Sequence, residues 1–258
     1  MAEFVTVELP AQASTRGVAL LRIDRPPLNL VDAQLAREVA AAAATVAAHP
    51  DVAALIVYGD ERVFSAGDEM RELAELDAGQ AAAMAADLQA ALGCLTKVPQ
   101  PTVAAITGYC LGAGLELALG ADHRIVGDNV KLGLPQIKAG LIPLAGIRRL
   151  SQLIGASRAK DLVYSGRFVD AEEAAGLGLV DEVVAPDDVL AAARRWAEQF
   201  VGAAPRALAA AKAVFEAGPH GHSTAVTEWS ALFDTDDART GTRAFAADGP
   251  NSAVFTGR

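Results

Sequence analysis

Aromatic residues are scarce in this 258-residue chain, at 5%, although 52% of it is hydrophobic. Alanine, valine and leucine therefore do the packing, and small side chains let helices approach closely. Cysteine is also rare. Cys94 and Cys110 are the only two thiols, without metal-ligand spacing, which excludes a disulfide framework and fits a reducing cytoplasm. Histidine is limited to four residues, and His220 and His222 have no further ligand types near them, so they read as part of an exposed loop and no metal site is expected. Positive charge is the minority sign, with a formal net charge of -10, so nucleic acid and anionic membranes are repelled as partners. The N-terminus lacks a basic run followed by an apolar one, so no export signal is expected and a cytoplasmic location is. Val98 to Leu115 is uncharged and long enough to span a bilayer, but Pro99, Gln100, Pro101, Gly108, Gly112 and Gly114 interrupt it.

What the chain does contain centres on that same stretch. Val103 to Ile106 is a short apolar run suited to a strand buried on both faces. Gly112 and Gly114 then permit a sharp turn, and from Leu115 the sequence favours a helix starting at about Gly114. The first amides of a helix have no partner within it, so Ala113 and Gly114 are placed to donate to an oxygen gaining negative charge, with Glu116 in the first turn beside them. The same pattern arises without any function, because a first-turn acid is favoured by the helix dipole alone. Two nucleotide readings fail: Leu117 stands where a dinucleotide fingerprint needs its third glycine, and no Gly-Lys-Ser/Thr follows.

Elsewhere, Val5 to Leu9 and Val18 to Ile23 read as a hairpin joined through Ser14 to Gly17. Asp24 to Asn29 is a stiff loop, and Asp32 caps an alanine-rich helix ending near Ala48. A strand at Ala53 to Tyr58 leads to Val63-Phe64-Ser65-Ala66-Gly67-Asp68-Glu69, a second passage from strand through glycine to an acidic helix start, with the Asp68 amide exposed. Helix capping alone accounts for Asp68 and Glu69. Residues 77 to 97 read as one or two helices ending at Lys97, His123 to Val126 as a strand, and the segment ending at Gly155 as a helix. Ser157 to Tyr164 is a further helix, Asp170 caps another, and Leu179 to Val184 is a last strand before an almost wholly helical remainder.

Four ordered segments resemble the crotonase family, the enoyl-CoA hydratase/isomerase superfamily. Phe64-Ser65-Ala66-Gly67-Asp68-Glu69-Met70-Arg71 is similar to its Phe-Ser-Ala-Gly-Ala-Asp-Leu-Lys loop. Gly108 to Leu117 is similar to its Gly-Tyr-Ala-Leu-Gly-Gly-Gly-Cys-Glu-Leu turn. Leu134-Pro135-Gln136 with Gly140 to Pro143, and Ser165-Gly166-Arg167 through Ala174 to Val180, resemble two further signatures. The resemblance implies an α/β fold: a spiral of β-β-α turns over residues 1–185 and a helical C-terminal region, 186–258, serving oligomerisation as trimer or hexamer and covering the active site. It implies an acyl-CoA substrate, with no cofactor beyond the coenzyme A carried by that substrate, and no metal. The thioester oxygen is expected between the backbone amides of Asp68 and Ala113, and the catalytic set is Glu116, Gln136, Asp68 and Ala113. Coenzyme A contacts fall on Arg25, Leu28, Ala66, Asp68, Glu69, Met70 and Arg71, with Arg25, Arg71 and Lys97 as candidate phosphate cations.

Two departures matter. Gln136 stands where the family's hydratases have a second glutamate, and an amide cannot exchange protons at neutral pH. Asp68 replaces an alanine, and its side chain either caps a helix or acts as a second acid. Hydration of enoyl-CoA thioesters in fatty acid breakdown is the leading expectation; the alternatives are enoyl-CoA isomerisation by one carboxylate, and an acyl-CoA-binding homologue with reduced chemistry.

Overall fold

A computed structural model describes residues 2–11, 16–250 and 252–257. Its first strands, β1 (Val5–Glu8) and β2 (Gly17–Ile23), pair antiparallel; Ser14 and Thr15 of the expected connection lie outside the described residues. Helix α1 (Ala33–Ala48) starts at Asp32, whose side chain accepts from the Leu35 amide over 2.7 Å, satisfying one of the unpaired donors of the first turn. Its buried face repeats at helical spacing through Leu35, Val39, Ala42 and Val46.

Three β-β-α turns follow. The first comprises β3 (Val52–Tyr58), β4 (Val63–Ser65) and helices α2 (Met70–Ala74) and α3 (Ala78–Leu92). The second comprises β5 (Thr102–Ile106), β6 (Tyr109–Leu111) and α4 (Ala113–Ala118). The third comprises β7 (His123–Gly127), β8 (Lys131–Gly133), a 3-10 turn at Pro135–Ala139 and α5 (Gly146–Ile154). The first strand of each turn enters a six-stranded sheet, and the second enters a three-stranded one. With β9 (Glu182–Val184), the strand orders are β1-β2-β3-β5-β7-β9 and β4-β6-β8. This is the expected spiral. Every pairing between two of these strands other than β1–β2 is parallel, and isolated antiparallel bridges join Val63 to Gly108 and Leu132 to Val169.

Strands β3 and β5 are buried along their whole length, and side-chain alternation splits them between two cores. Leu55, Val57, Ala104 and Ile106 enter the main core with α1 and Phe64. Ala54, Ile56, Val103 and Ala105 face the other side, where α8 (Val189–Glu198) covers them with Val189, Ala192, Ala193 and Ala197.

The smaller sheet differs from expectation: β6 and β8 are three-residue strands too short to carry a periodic signal, and only pairing makes them strands, β6 against β4 and β8 against β6. Helices α6 (Ala156–Ser165) and α7 (Ala171–Leu177) follow α5, and α7 is capped by Asp170 as read from the sequence. The chain ends in α9 (Pro205–Glu216), α10 (Gly221–Leu232) and α11 (Asp236–Asp248). His220 and His222 are exposed, but they lie in a 3-10 turn and the first turn of α10 rather than in an open loop.

Candidate active site

The carboxyl-side turns of β4, β6 and β8 meet at one place, and each delivers one residue there: Asp68, Glu116 and Gln136. Gly112 makes the central turn with φ 49, and α4 begins at Ala113, one residue before the expected start. Gly114 is helical, so its role is not the conformational freedom expected of it. A Cβ there would stand 2.6 Å from the Cβ of Ser65 and 3.0 Å from its carbonyl oxygen. The missing side chain is what lets α4 lie against β4, so that the Ala113 amide reaches the Asp68 side chain.

The Ala113 amide donates to Asp68 Oδ2 over 3.2 Å. The Asp68 side chain therefore does not cap the following helix; Glu69 does, accepting from the Arg71 amide over 3.3 Å. Burial holds the Asp68 carboxyl above the usual carboxylate range, against the opposing pull of its hydrogen bonds.

Glu116 is 1% exposed. Its Oε2 accepts from the amides of Ala145 and Gly146 at the start of α5, the latter over 2.6 Å. Oε1 accepts from Gln136 Nε2 over 3.0 Å. Burial pushes its pKa up to about 7, and the nearby Asp68 charge adds to the rise. A carboxylate near neutrality, rigidly held, can both take and return a proton. Sequence reasoning missed this clamp. Its trace is Gly146, where a Cβ would stand 2.9 Å from Glu116 Cγ.

Gln136 is positioned by the turn Pro135–Ala139, and its Nε2 donates to Glu116 and also to Asp68 Oδ2 over 3.2 Å. One amide nitrogen thus bridges two carboxylates. Its Oε1 is buried without a hydrogen-bond partner among the described residues, an acceptor suited to a water or hydroxyl donor.

The residues expected to meet coenzyme A lie on two adjoining loops. The Ala66 amide donates to the Leu28 carbonyl (2.9 Å), and Val31 exchanges hydrogen bonds with Gly67 and Glu69 (both 2.8 Å). Leu28, Met70 and Arg71 are exposed along this edge. Arg71 enters no ion pair among the described residues. Arg25 differs: it pairs with Asp32 at 2.7 Å, donates to the Leu30 carbonyl at 2.7 Å and lies over the Phe4 ring. Lys97 is exposed and lines a cavity of about 550 Å³ with Gln89, Ala145 and Arg148.

Comparison with known proteins agrees with this architecture. Residues 13–251 match the family model described as enoyl-CoA hydratase/isomerase. A protein named probable enoyl-CoA hydratase EchA17, from Mycobacterium tuberculosis, is 53% identical over 222 residues, 84% of this chain and 85% of its own. Another, probable enoyl-CoA hydratase echA8 from Mycobacterium bovis, is 41% identical over 179 residues, 69% of each chain. Among solved structures, an enoyl-CoA hydratase from Bacillus anthracis superposes with a TM-score of 0.88 at 28% identity, covering 99% of this chain and 100% of that one. DspI from Pseudomonas aeruginosa gives 0.85 at 31% identity, covering 94% and 93%. With three β-β-α turns, a glycine turn that leads into a buried acid, and a family match across most of its length, the chain belongs to the enoyl-CoA hydratase/isomerase family and has the crotonase fold.

Proposed function

We propose that the protein is an enoyl-CoA hydratase-type lyase acting on acyl-CoA thioesters in fatty acid breakdown. The observation that carries this is one hydrogen-bonded cluster in which Gln136 links the buried carboxylic acid Glu116 to Asp68, and Asp68 accepts from the Ala113 amide. In this reading the backbone amides of Asp68 and Ala113 hold the thioester oxygen, and Glu116 takes a proton from water as that water's oxygen bonds to the β-carbon. The electron pair of the double bond moves toward the thioester oxygen, giving an enolate. Glu116 then returns the proton to the α-carbon. Gln136 cannot exchange a proton, but its unpartnered Oε1 can accept from the attacking water. A single oxyanion donor is worth roughly 100-fold to 1,000-fold in turnover, and a general acid–base group roughly 100-fold to 10,000-fold.

The same amide at position 136 favours a second reading, isomerisation of 3-enoyl-CoA by one carboxylate moving a proton between the α and γ carbons. Incubation with crotonyl-CoA and with 3-enoyl-CoA in heavy water, followed by mass analysis, separates the readings. Hydrated, deuterated product from crotonyl-CoA is expected; a shifted double bond without hydration would select the isomerase. No deuterium in either would leave an acyl-CoA-binding protein without this chemistry.

Coenzyme A lies along Leu28, Ala66, Met70 and Arg71 in this proposal, supported by their shared edge and by the uncommitted Arg71 guanidinium. Self-association as trimer or hexamer goes with it, supported by aromatic side chains exposed on the C-terminal helices: Phe215 at 85%, Trp229 at 63% and Phe245 at 63%. A cytoplasmic location also fits, since both cysteines are free and buried.

A further inference from the structure

The site read as receiving the thioester oxygen carries an occupant of its own. Asp68 Oδ2 accepts from the Ala113 amide and from Gln136 Nε2, each over 3.2 Å. Gly112 leaves the room for that oxygen, because a Cβ at this position would collide with Oδ2. No cation pairs with Asp68 among the described residues; its side-chain partners are confined to the site itself. Unlike Glu116, Asp68 is only partly buried, so its side chain has a way out toward solvent.

An amide N–H directs one good hydrogen bond at one acceptor. A carboxylate oxygen and a thioester oxygen on its way to an enolate therefore compete for Ala113. We propose that the Asp68 side chain is a displaceable internal ligand of the oxyanion site: its carboxylate holds the Ala113 amide in the free protein, and an acyl thioester seats its carbonyl oxygen only as that side chain swings out. The proposal rests on the acyl-CoA reading above. It makes Asp68 a determinant of ligand selection distinct from any role in moving protons. Only the fraction of molecules with the side chain withdrawn is competent to bind a carbonyl, and the apparent affinity falls by that fraction. The penalty falls on ligands that need the Ala113 amide and spares those that do not.

The test pairs two ligands that differ at that oxygen: butyryl-CoA, and S-butyl-coenzyme A, a thioether with the same chain and no carbonyl. Calorimetric titration is made on the parent protein, Asp68→Ala and Asp68→Asn; all three keep the backbone amide at position 68. Loss of a charge-assisted hydrogen bond that must otherwise be broken corresponds to a gain of roughly tenfold or more, so Asp68→Ala should bind butyryl-CoA tighter by that factor. Its affinity for the thioether should not change. Asp68→Asn keeps an uncharged oxygen for the Ala113 amide and should gain less, providing a conservative check if the alanine variant folds poorly. Equal shifts for both ligands, or no gain for butyryl-CoA, would overturn the displacement while leaving the acyl-CoA reading intact. Failure of the parent and both variants to bind either ligand would overturn the acyl-CoA reading, and the displacement with it.

Discussion

Gln136 Nε2 lies 3.0 Å from Oε1 of Glu116, so the residue in place of the family's second glutamate serves as a donor to the first. That relationship gives Glu116 three hydrogen bonds, counting those from Ala145 and Gly146, and fixes its orientation without neutralising it. The acid that remains is therefore rigid, buried and titrating near neutrality.

If Glu116 is the base, it must be ionised, so hydration of crotonyl-CoA should rise with pH and level off above a midpoint of about 7. Initial rates measured across that range give the midpoint directly. Glu116→Gln should lower turnover by about 100-fold to 10,000-fold and erase this limb of the profile. A variant retaining the parent's rate and midpoint would remove Glu116 from the chemistry.

Burial of the same group links it to folding. Its folded pKa is raised from 4.5 to about 7, so the native state binds more protons than the unfolded chain between those values. The stability it contributes is fully present below about pH 4.5, falls as pH rises and is gone above about pH 7. Relative to Glu116→Gln, the parent should lose on the order of 3 kcal/mol across this window. Urea unfolding of both proteins at several pH values measures the difference, in which titrations common to both cancel; parallel curves would contradict the sign argued here.

Replacing Gln136 alone should not restore a hydratase pair. Gln136→Glu removes two hydrogen bonds to carboxylates and puts a third acid between Asp68 and Glu116, at a cost on the order of 3 kcal/mol. Combined with Asp68→Ala, the new glutamate faces only Glu116, and hydration should exceed that of the Gln136→Glu single variant. A double-mutant cycle on stability and rate should return a coupling of at least about 0.5 kcal/mol. Strict additivity would show that Asp68 and Gln136 do not depend on one another.

Arg71 and Arg25 should separate into a binding residue and a structural one. Arg71 is exposed, so Arg71→Ala should weaken coenzyme A binding by no more than about fivefold, with the loss shrinking at high salt. Arg25→Ala should act on stability, since it removes a partner from the α1 cap Asp32 and from the Leu30 carbonyl. Titration calorimetry and thermal melts, run on both variants, tell the two effects apart.

Gly114→Ala should destabilise by about 1 to 3 kcal/mol, because the added methyl meets Ser65 Cβ and its carbonyl oxygen in a packed interior. Its effect on turnover should be larger than that stability loss alone implies, since relief requires α4 to move off β4 and carries the Ala113 amide with it. Chemical denaturation gives the first quantity and steady-state rates the second; unchanged turnover would mean that this contact does not set the spacing of the amides.

Local sequence was enough for the elements whose signal is local. The Asp32 cap, the alanine-rich helix α1, the apolar strand β3, the doubly buried run of β5 and the glycine turn into Glu116 follow from composition, capping chemistry and backbone freedom over a few residues. Motif resemblance added the order of turns and pointed to Asp68, Ala113, Glu116 and Gln136. Strands β6 and β8, by contrast, have three residues each and exist because β4 lies alongside β6, and β6 alongside β8, to complete their ladders. The Ala145 and Gly146 clamp lies 29 and 30 residues from Glu116 along the chain, and backbone amides carry no residue-type signature. The direction of the Asp68 side chain was open between a helix cap and the site; Ala113, 45 residues away, took it, because its unpaired amide and the space beside Gly112 offered a partner that the local helix start did not.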